Sequence, residues 1–342
     1  GEIKRRNSDN RLTYLSQVLP LFGFCNLPRG EELLPVQICG NIIREISSDD
    51  LKTFMVRVLN KTPRGNEILV QMSMCHGQYF DDKVLIALPL HEGKLIKDTR
   101  HCAYRFYRNG VIKIKADQDQ PEFLRYDQIN GLVWANQIVN RDFNPVSVRK
   151  FDENEFLNDI TDKSGRHFHK WCQNLCKSQS HNNSWTYDRN RFKALASGFG
   201  YLLHRHWSDY KCVIFVDEDL SCGKSNGRTG KSLVLNDALS YALKSQTIDA
   251  KMLNKKTASS QQFTFNFVEP STQYICFDDA CQKFDFSSLF SIITGSLTVN
   301  RKYGGMFQFP KNEKPKMSIT SNHPISGEGS SYSDRQHIVS IG

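Results

Sequence analysis

Residues 225–232 read SNGRTGKS, and their flanks decide how the second half of the chain folds. Upstream, KCVIFVDEDL (211–220) is a short apolar run of the kind that forms a buried strand. Downstream, SLVLNDALSYALK (232–244) carries leucines at helical spacing. A strand, a loop of Gly, Ser and Asn, and a helix opening at Lys231 or Ser232 form a frame in which backbone N–H groups and a helix N-terminus wrap a phosphate chain. The full pattern is G-x-x-x-x-G-K-[ST]. Ser225 stands in place of its first glycine, with Gly223 and Gly227 close enough to absorb the turn. Ser225, Asn226, Gly227, Arg228, Thr229 and Gly230 are therefore candidate phosphate-cradling residues. Lys231 would reach the β- and γ-phosphates of ATP, and the Ser232 hydroxyl would ligate Mg²⁺.

Two further strands supply side chains to the same chemistry. TQYICFDDA (272–280) is an apolar strand ending in paired carboxylates. Asp278 suits the Mg²⁺ ion, and Asp279 suits orienting and polarising the attacking water. KMSITSNHPI (316–325) ends a strand in Thr320-Ser321-Asn322, which places the Asn322 amide at the carboxyl edge of an open α/β sheet. Between them DFSSLFSIITG (285–295) reads as a short helix and LTVNRKYGGMFQFP (297–310) as a hairpin. The hairpin tip offers Arg301 and Lys302 to phosphates and Tyr303 to base stacking. RQHIVSI (335–341) is a last strand.

In order, SNGRTGKS, YICFDD, GSLTVNRKYGGMFQFP and ITSNHP resemble the four motifs of superfamily 3 helicases, the AAA+-type replicative helicases of small DNA viruses, phages and plasmids. The likeness covers roughly residues 190–342 and is nearest in character to the helicase part of phage, plasmid or mobile-element primase-helicases. It implies an ATP-driven ring, expected to be a hexamer, that moves 3′→5′ on single-stranded and forked DNA with a primase module or partner. Lys231, Asp278, Asp279 and Asn322 carry the hydrolytic roles in that resemblance. Arg301, Lys302 and Tyr303 form a hairpin in the central channel, and Arg335 is a finger reaching the neighbour's nucleotide. Two other classes stay open. One is a replication initiator or loader whose ATP site governs assembly without unwinding; the other is a P-loop kinase for a small molecule.

The remainder of the chain is less specific. The 342 residues, 39% of them hydrophobic and 22 of them phenylalanine, suit two or three folded domains. The expected division is a strand-rich α+β domain of unknown role (1–148), a helical collar or linker (149–207) and an α/β P-loop domain with a mostly parallel sheet (208–342). In the first part ILVQMSM (68–74) and KVLIALPL (83–90) read as strands, and AYRFYRNGVIKIK (103–115) as a hairpin turning at Asn109-Gly110. KADQDQ (115–120) sets Asp117 and Asp119 at a metal-like spacing, but a solvated turn explains them better.

In the second part FLNDI (156–160), FHKWCQNLC (168–176) and RFKALASGFGYLLHRHW (191–207) read as helices joined by the polar connector HNNSWTYDRN (181–190). His167, His169, Cys172, Cys176 and His181 are of zinc-ligand type, yet they fall within one helical stretch, and core packing is the favoured reading. KMLNKK (251–256) and KNEKPK (311–316) read as solvated charge runs that could add to a grip on DNA.

A net charge of +9 and a pI near 9.0 suit a polyanionic partner. Ten scattered cysteines, mostly inside apolar stretches, suggest buried thiols in a reducing, intracellular compartment. No apolar run reaches the roughly 18 residues of a membrane span, and GEIKRRNSDN has no signal-peptide core. Gly1 in place of Met is expected of an excised fragment or a tag remnant, and the abrupt end at Gly342 of a chain lacking C-terminal elements.

Overall fold

The computed structural model describes residues 17–29, 32–144, 167–179, 185–217, 229–253, 263–302, 305–325 and 327–341. Within these, the first strands are β1 (Phe24–Arg29), β2 (Glu32–Cys39), β3 (Ile42–Glu45), β4 (Cys102–Tyr107), β5 (Gly110–Lys115), β6 (Glu122–Leu124) and β7 (Val133–Trp134). They are followed by β8 (Lys177–Gln179), β9 (Trp185–Tyr187), β10 (Cys212–Asp217), β11 (Ser245–Asp249) and β12 (Tyr274–Ala280). The last are β13 (Leu297–Arg301), β14 (Gly305–Phe309), β15 (Lys316–Ser321) and β16 (Gln336–Ile341). The principal helices are α1 (Ser48–Leu59), α2 (Gly65–Met74), α3 (His167–Leu175), α4 (Arg189–Leu203), α5 (231–240) and α6 (Phe290–Thr294). Two compact units result, one of residues 1–96 with 124–138 and one of residues 97–123 with 139–342.

In the first unit β1-β2-β3-β7 form one sheet, antiparallel except where β3 meets β7. Ser47 and Asp50 build a reciprocal capping box that opens α1. Leu51 and Met55 of α1 pack with Phe24 and Met72 in the core. ILVQMSM is helical here, within α2, and part of KVLIALPL is a helical turn (Asp82–Ile86), so the strands expected there are corrected.

In the second unit the sheet order is β11-β12-β15-β10-β16, and every pairing is parallel. Both faces are covered, which is why β10 and β15 are buried along their whole length and read as unbroken apolar runs. Alternate residues divide between two cores. Ile214, Ile275, Phe277 and Ile319 face α6 and the β13–β14 hairpin through Ile293, Val299 and Phe309. Val213, Phe215, Cys276 and Val339 face Leu195 and Leu202 of α4, Leu235 and Leu239 of α5, and Cys172 and Cys176. Burial pushes both of those thiols up to about 12, as expected of core cysteines.

The predicted strands and helices of residues 211–341 are present; β11, an edge strand with only Ile248 buried, and the short helical turns Ala250–Met252 and Ser330–Ser333 were not foreseen. Leu233–Ala238 within α5 has π geometry. WTY within the polar connector forms β9, paired with β8. The β4–β5 hairpin is as expected, but Tyr107 pairs with Gly110, so the turn residues are Arg108 and Asn109. The Asn109 side chain instead bridges to the backbone of Phe143 in both directions. FLNDI and His181 lie outside the described residues.

Only the first half of KNEKPK, Lys311 to Glu313, is exposed. Lys314 and Lys316 are buried, and both stand over the Trp207 ring. The Lys316 ammonium is 3.6 Å from the Tyr201 ring centroid and donates to the His206 carbonyl at 2.8 Å. Lys314 donates to the carbonyls of Ile293 and Gly295 at 2.7 and 2.6 Å. Burial pulls Lys316 down to about 7 and Lys314 to about 8. Asp117 lies in an exposed turn after β5. Among the described residues no helix is long and apolar enough to cross a membrane, and no three His, Cys, Asp or Glu side chains gather as a metal site.

Candidate nucleotide site at the carboxyl edge of the sheet

Parallel strands all end on one side, so Asp217, Asp249, the Asp278–Asp279 pair and Ser321 share one edge of the sheet. There α5 begins, directly after Thr229 and Gly230. Gly230 adopts φ +85°, and a Cβ on it would lie 2.7 Å from Nε1 of Trp171. Only glycine fits that backbone and that approach. Ser225, Asn226, Gly227 and Arg228 lie outside the described residues.

Lys231 is buried, and its ammonium is ion-paired with the Asp217 carboxylate. Thr229 Oγ1 donates to Asp217 at 2.8 Å and accepts from Lys231 at 3.0 Å. The other Asp217 oxygen is buried and has no hydrogen-bond partner among the described residues. Asp217 was not foreseen as part of the site; its signal was an acid closing the apolar run just before the loop.

Ser232 and the acidic pair meet directly. Ser232 Oγ donates to Asp278 Oδ1 at 2.9 Å, and Thr320 Oγ1 donates to the same oxygen at 2.6 Å. Asp279 is turned into the left-handed region at φ 56°, its backbone N–H donating to Thr320 Oγ1 at 2.9 Å. Its carboxylate pairs with the Lys251 ammonium at 2.5 Å, a contact that raises the lysine's pKa. Thr320 and Lys251 are thus two further residues of the edge that sequence reasoning passed over.

Asn322 follows β15 immediately and stands at the same edge. Arg335 does not. It precedes β16, whose first residue pairs with Cys212 and whose last pairs with Asp217. At about 3.3 Å per residue, Arg335 is roughly 20 Å from the Asp217 end. Its guanidinium donates to the Ser331 carbonyl at 2.7 Å and lies 4.7 Å from the Phe290 ring centroid. Arg301 closes the β13–β14 ladder opposite Gly305, with its guanidinium 4.8 Å from the Phe307 ring centroid. Lys302 is exposed just beyond it, and Tyr303 lies outside the described residues.

The donors present fit a magnesium-bound triphosphate. A serine hydroxyl and a carboxylate in contact are hard oxygen ligands of the kind Mg²⁺ takes. A buried ammonium beside a helix N-terminus is a group of the kind that anchors phosphate.

No protein-family model and no curated protein matches the chain. Among solved structures, the apo structure of the NrS-1 C-terminal region (305–718) is similar, with 14% identity and a TM-score of 0.48 over 96% of this chain and 61% of that one. An A form of the apo region gives 14% and 0.47, and another gives 13% and 0.45, with the same coverage. The chain spans 61% of these structures, less than two thirds of their length. Likeness at this level transfers no chemistry, so the functional reading stands on the chain's own residues.

Proposed function

We propose that the carboxyl edge of the parallel sheet binds Mg·ATP and that the chain is the motor of a ring-forming, AAA+-type superfamily 3 DNA helicase. The observation that carries this is the convergence of Lys231 and Ser232, at the start of α5, with Asp278 at the end of a neighbouring strand. Lys231 holds phosphate oxygens once it leaves Asp217, and Ser232 with Asp278 would hold Mg²⁺. When bound, Mg²⁺ neutralises charge on the β- and γ-phosphates. Asp279 orients the attacking water, and the Asn322 amide at the same edge contacts the γ-phosphate or that water. The position of Arg335, a strand's length from its own site, supports service to a neighbour's nucleotide. A finger of this kind is worth about 10³–10⁵ in rate.

In this reading Arg301, Lys302 and Tyr303 contact DNA. The net charge of +9 supports a polyanionic partner, with binding that falls steeply with salt. Unbridged cysteines among the described residues, five of them buried (Cys25, Cys172, Cys176, Cys212 and Cys276), suit the reducing compartment in which such a motor would work.

ATP hydrolysis measured with and without single-stranded DNA tests the reading. Wild type is expected to hydrolyse ATP and to be stimulated by DNA, Lys231→Ala to do neither, and Lys302→Ala to keep basal hydrolysis but lose stimulation. Phosphoryl transfer to a metabolite without DNA stimulation would support a kinase instead. DNA-stimulated hydrolysis without displacement of a forked strand would mark an initiator or loader.

A further inference from the structure

The acidic pair sits on an irregularity of the sheet. Along β12 and β15, Phe277 pairs with Ile319 and Ala280 with Ser321, so Asp278 and Asp279 together stand opposite the single residue Thr320. This is a β-bulge, which in a parallel pair is rare and often re-aims a side chain beside an active site. In a regular strand two successive carboxylates project to opposite faces. The parity of the strand shows the change: Ile275, Phe277 and Ala280 all belong to one core, although Ala280 would face the other without the extra residue.

Thr320 is buried, and its hydroxyl spans the bulge. It accepts the Asp279 N–H, holding that residue at φ 56°, and donates its proton to Asp278 Oδ1. A non-glycine residue at positive φ is a local cost that persists only where its surroundings impose it. Ser232 donates to the same Asp278 oxygen, so two hydroxyls fix one carboxylate oxygen and leave the rotation of the group determined.

We infer that Thr320 is a positioning residue whose hydroxyl holds the bulge and thereby presents both carboxylates to one nucleotide. Its contribution to hydrolysis rests on the proposed ATP site. A valine at this position would fill nearly the same space but would leave the Asp279 N–H and the Asp278 oxygen without their shared partner.

The test compares Thr320→Val, which keeps the shape and loses the hydroxyl, with Thr320→Ser, which keeps the hydroxyl. In steady-state ATPase assays Thr320→Val is expected to lose about 10- to 100-fold in kcat, the usual scale for a group that orients a ligand, with KM for ATP within about threefold. Thr320→Ser is expected to stay within about threefold of wild type on the same scale. Equal kcat for wild type and Thr320→Val, or equal losses in both variants, overturns the inference. Crystal structures of the two variants read the bulge without reference to turnover. Asp279 should return to negative φ in Thr320→Val and stay left-handed in Thr320→Ser; an unchanged Asp279 in the valine variant overturns the hydroxyl's role. A wild type that hydrolyses no nucleotide while the bulge responds as expected overturns the ATP reading and, with it, the hydroxyl's part in hydrolysis.

Discussion

At the scale of single residues, the Lys231 ammonium already has an anion: the buried Asp217 carboxylate, one oxygen of which has no partner among the described residues. In the proposed site a phosphate would have to take that ammonium from Asp217, and a buried negative charge beside an incoming triphosphate would oppose binding. Asp217→Asn is therefore expected to bind ATP about tenfold more tightly, a difference of about 1.4 kcal/mol, as measured by calorimetry. Weaker binding by the variant would show that Asp217 aims Lys231 instead of competing for it. This contact was not legible in the sequence, because Asp217 reads as the polar end of an apolar run. The placement of Lys231, Ser232 and Asp278 at one edge was legible, since a strand–loop–helix frame beside a parallel strand brings those positions together. Thr320 was hidden for a different reason. Its importance comes from a bulge, and a bulge has no pattern of its own in Y-I-C-F-D-D.

At the scale of elements, legibility followed burial. β10 and β15 are covered on both faces and announce themselves as apolar runs. β11 lies at the sheet's edge with one buried residue, so SQTID carries no such signal. α2 misled in the opposite way: Ile68 and Val70 are exposed on it, and an apolar run without a clear face does not distinguish helix from strand. The start of β15 carries a measurable consequence. Burial lowers Lys316 to about 7 and Lys314 to about 8, and the Asp209 and Asp98 carboxylates pull Lys316 partly back up. In the unfolded chain a lysine titrates near 10.4. Between those values the unfolded state binds more protons, so this contribution to stability rises with pH from about 7 toward 10 and is lost as pH falls through that window. Thermal unfolding at pH 7 and 9 should show a smaller rise in Tm for Lys316→Met than for wild type. Identical rises would mean that Lys316 does not titrate in this way.

At the scale of the whole molecule, composition changes near residue 148, whereas contacts place residues 97–123 with the C-terminal unit. Crossings of this kind leave no mark in composition, because each segment is an ordinary mixture of strand and turn. Assembly is where the position of Arg335 matters. If its guanidinium completes a neighbour's site, Arg335→Ala and Lys231→Ala chains are each inactive alone but complement one another when mixed. Random assembly at equal amounts should return roughly a quarter of wild-type turnover, since half the chains keep Lys231 and half of their neighbours keep Arg335. A mixture as inactive as its components would place Arg335 outside the chemistry.

The central claim is that Lys231, Ser232 and Asp278 receive a magnesium-bound triphosphate at the carboxyl edge of the sheet. A crystal structure with Mg²⁺ and a non-hydrolysable ATP analogue tests it most directly. The account predicts the Lys231 ammonium within hydrogen-bond distance of the β- and γ-phosphates, with Mg²⁺ beside Ser232 Oγ and Asp278. An analogue bound elsewhere, or a Lys231 still paired with Asp217 while the analogue is present, would contradict it.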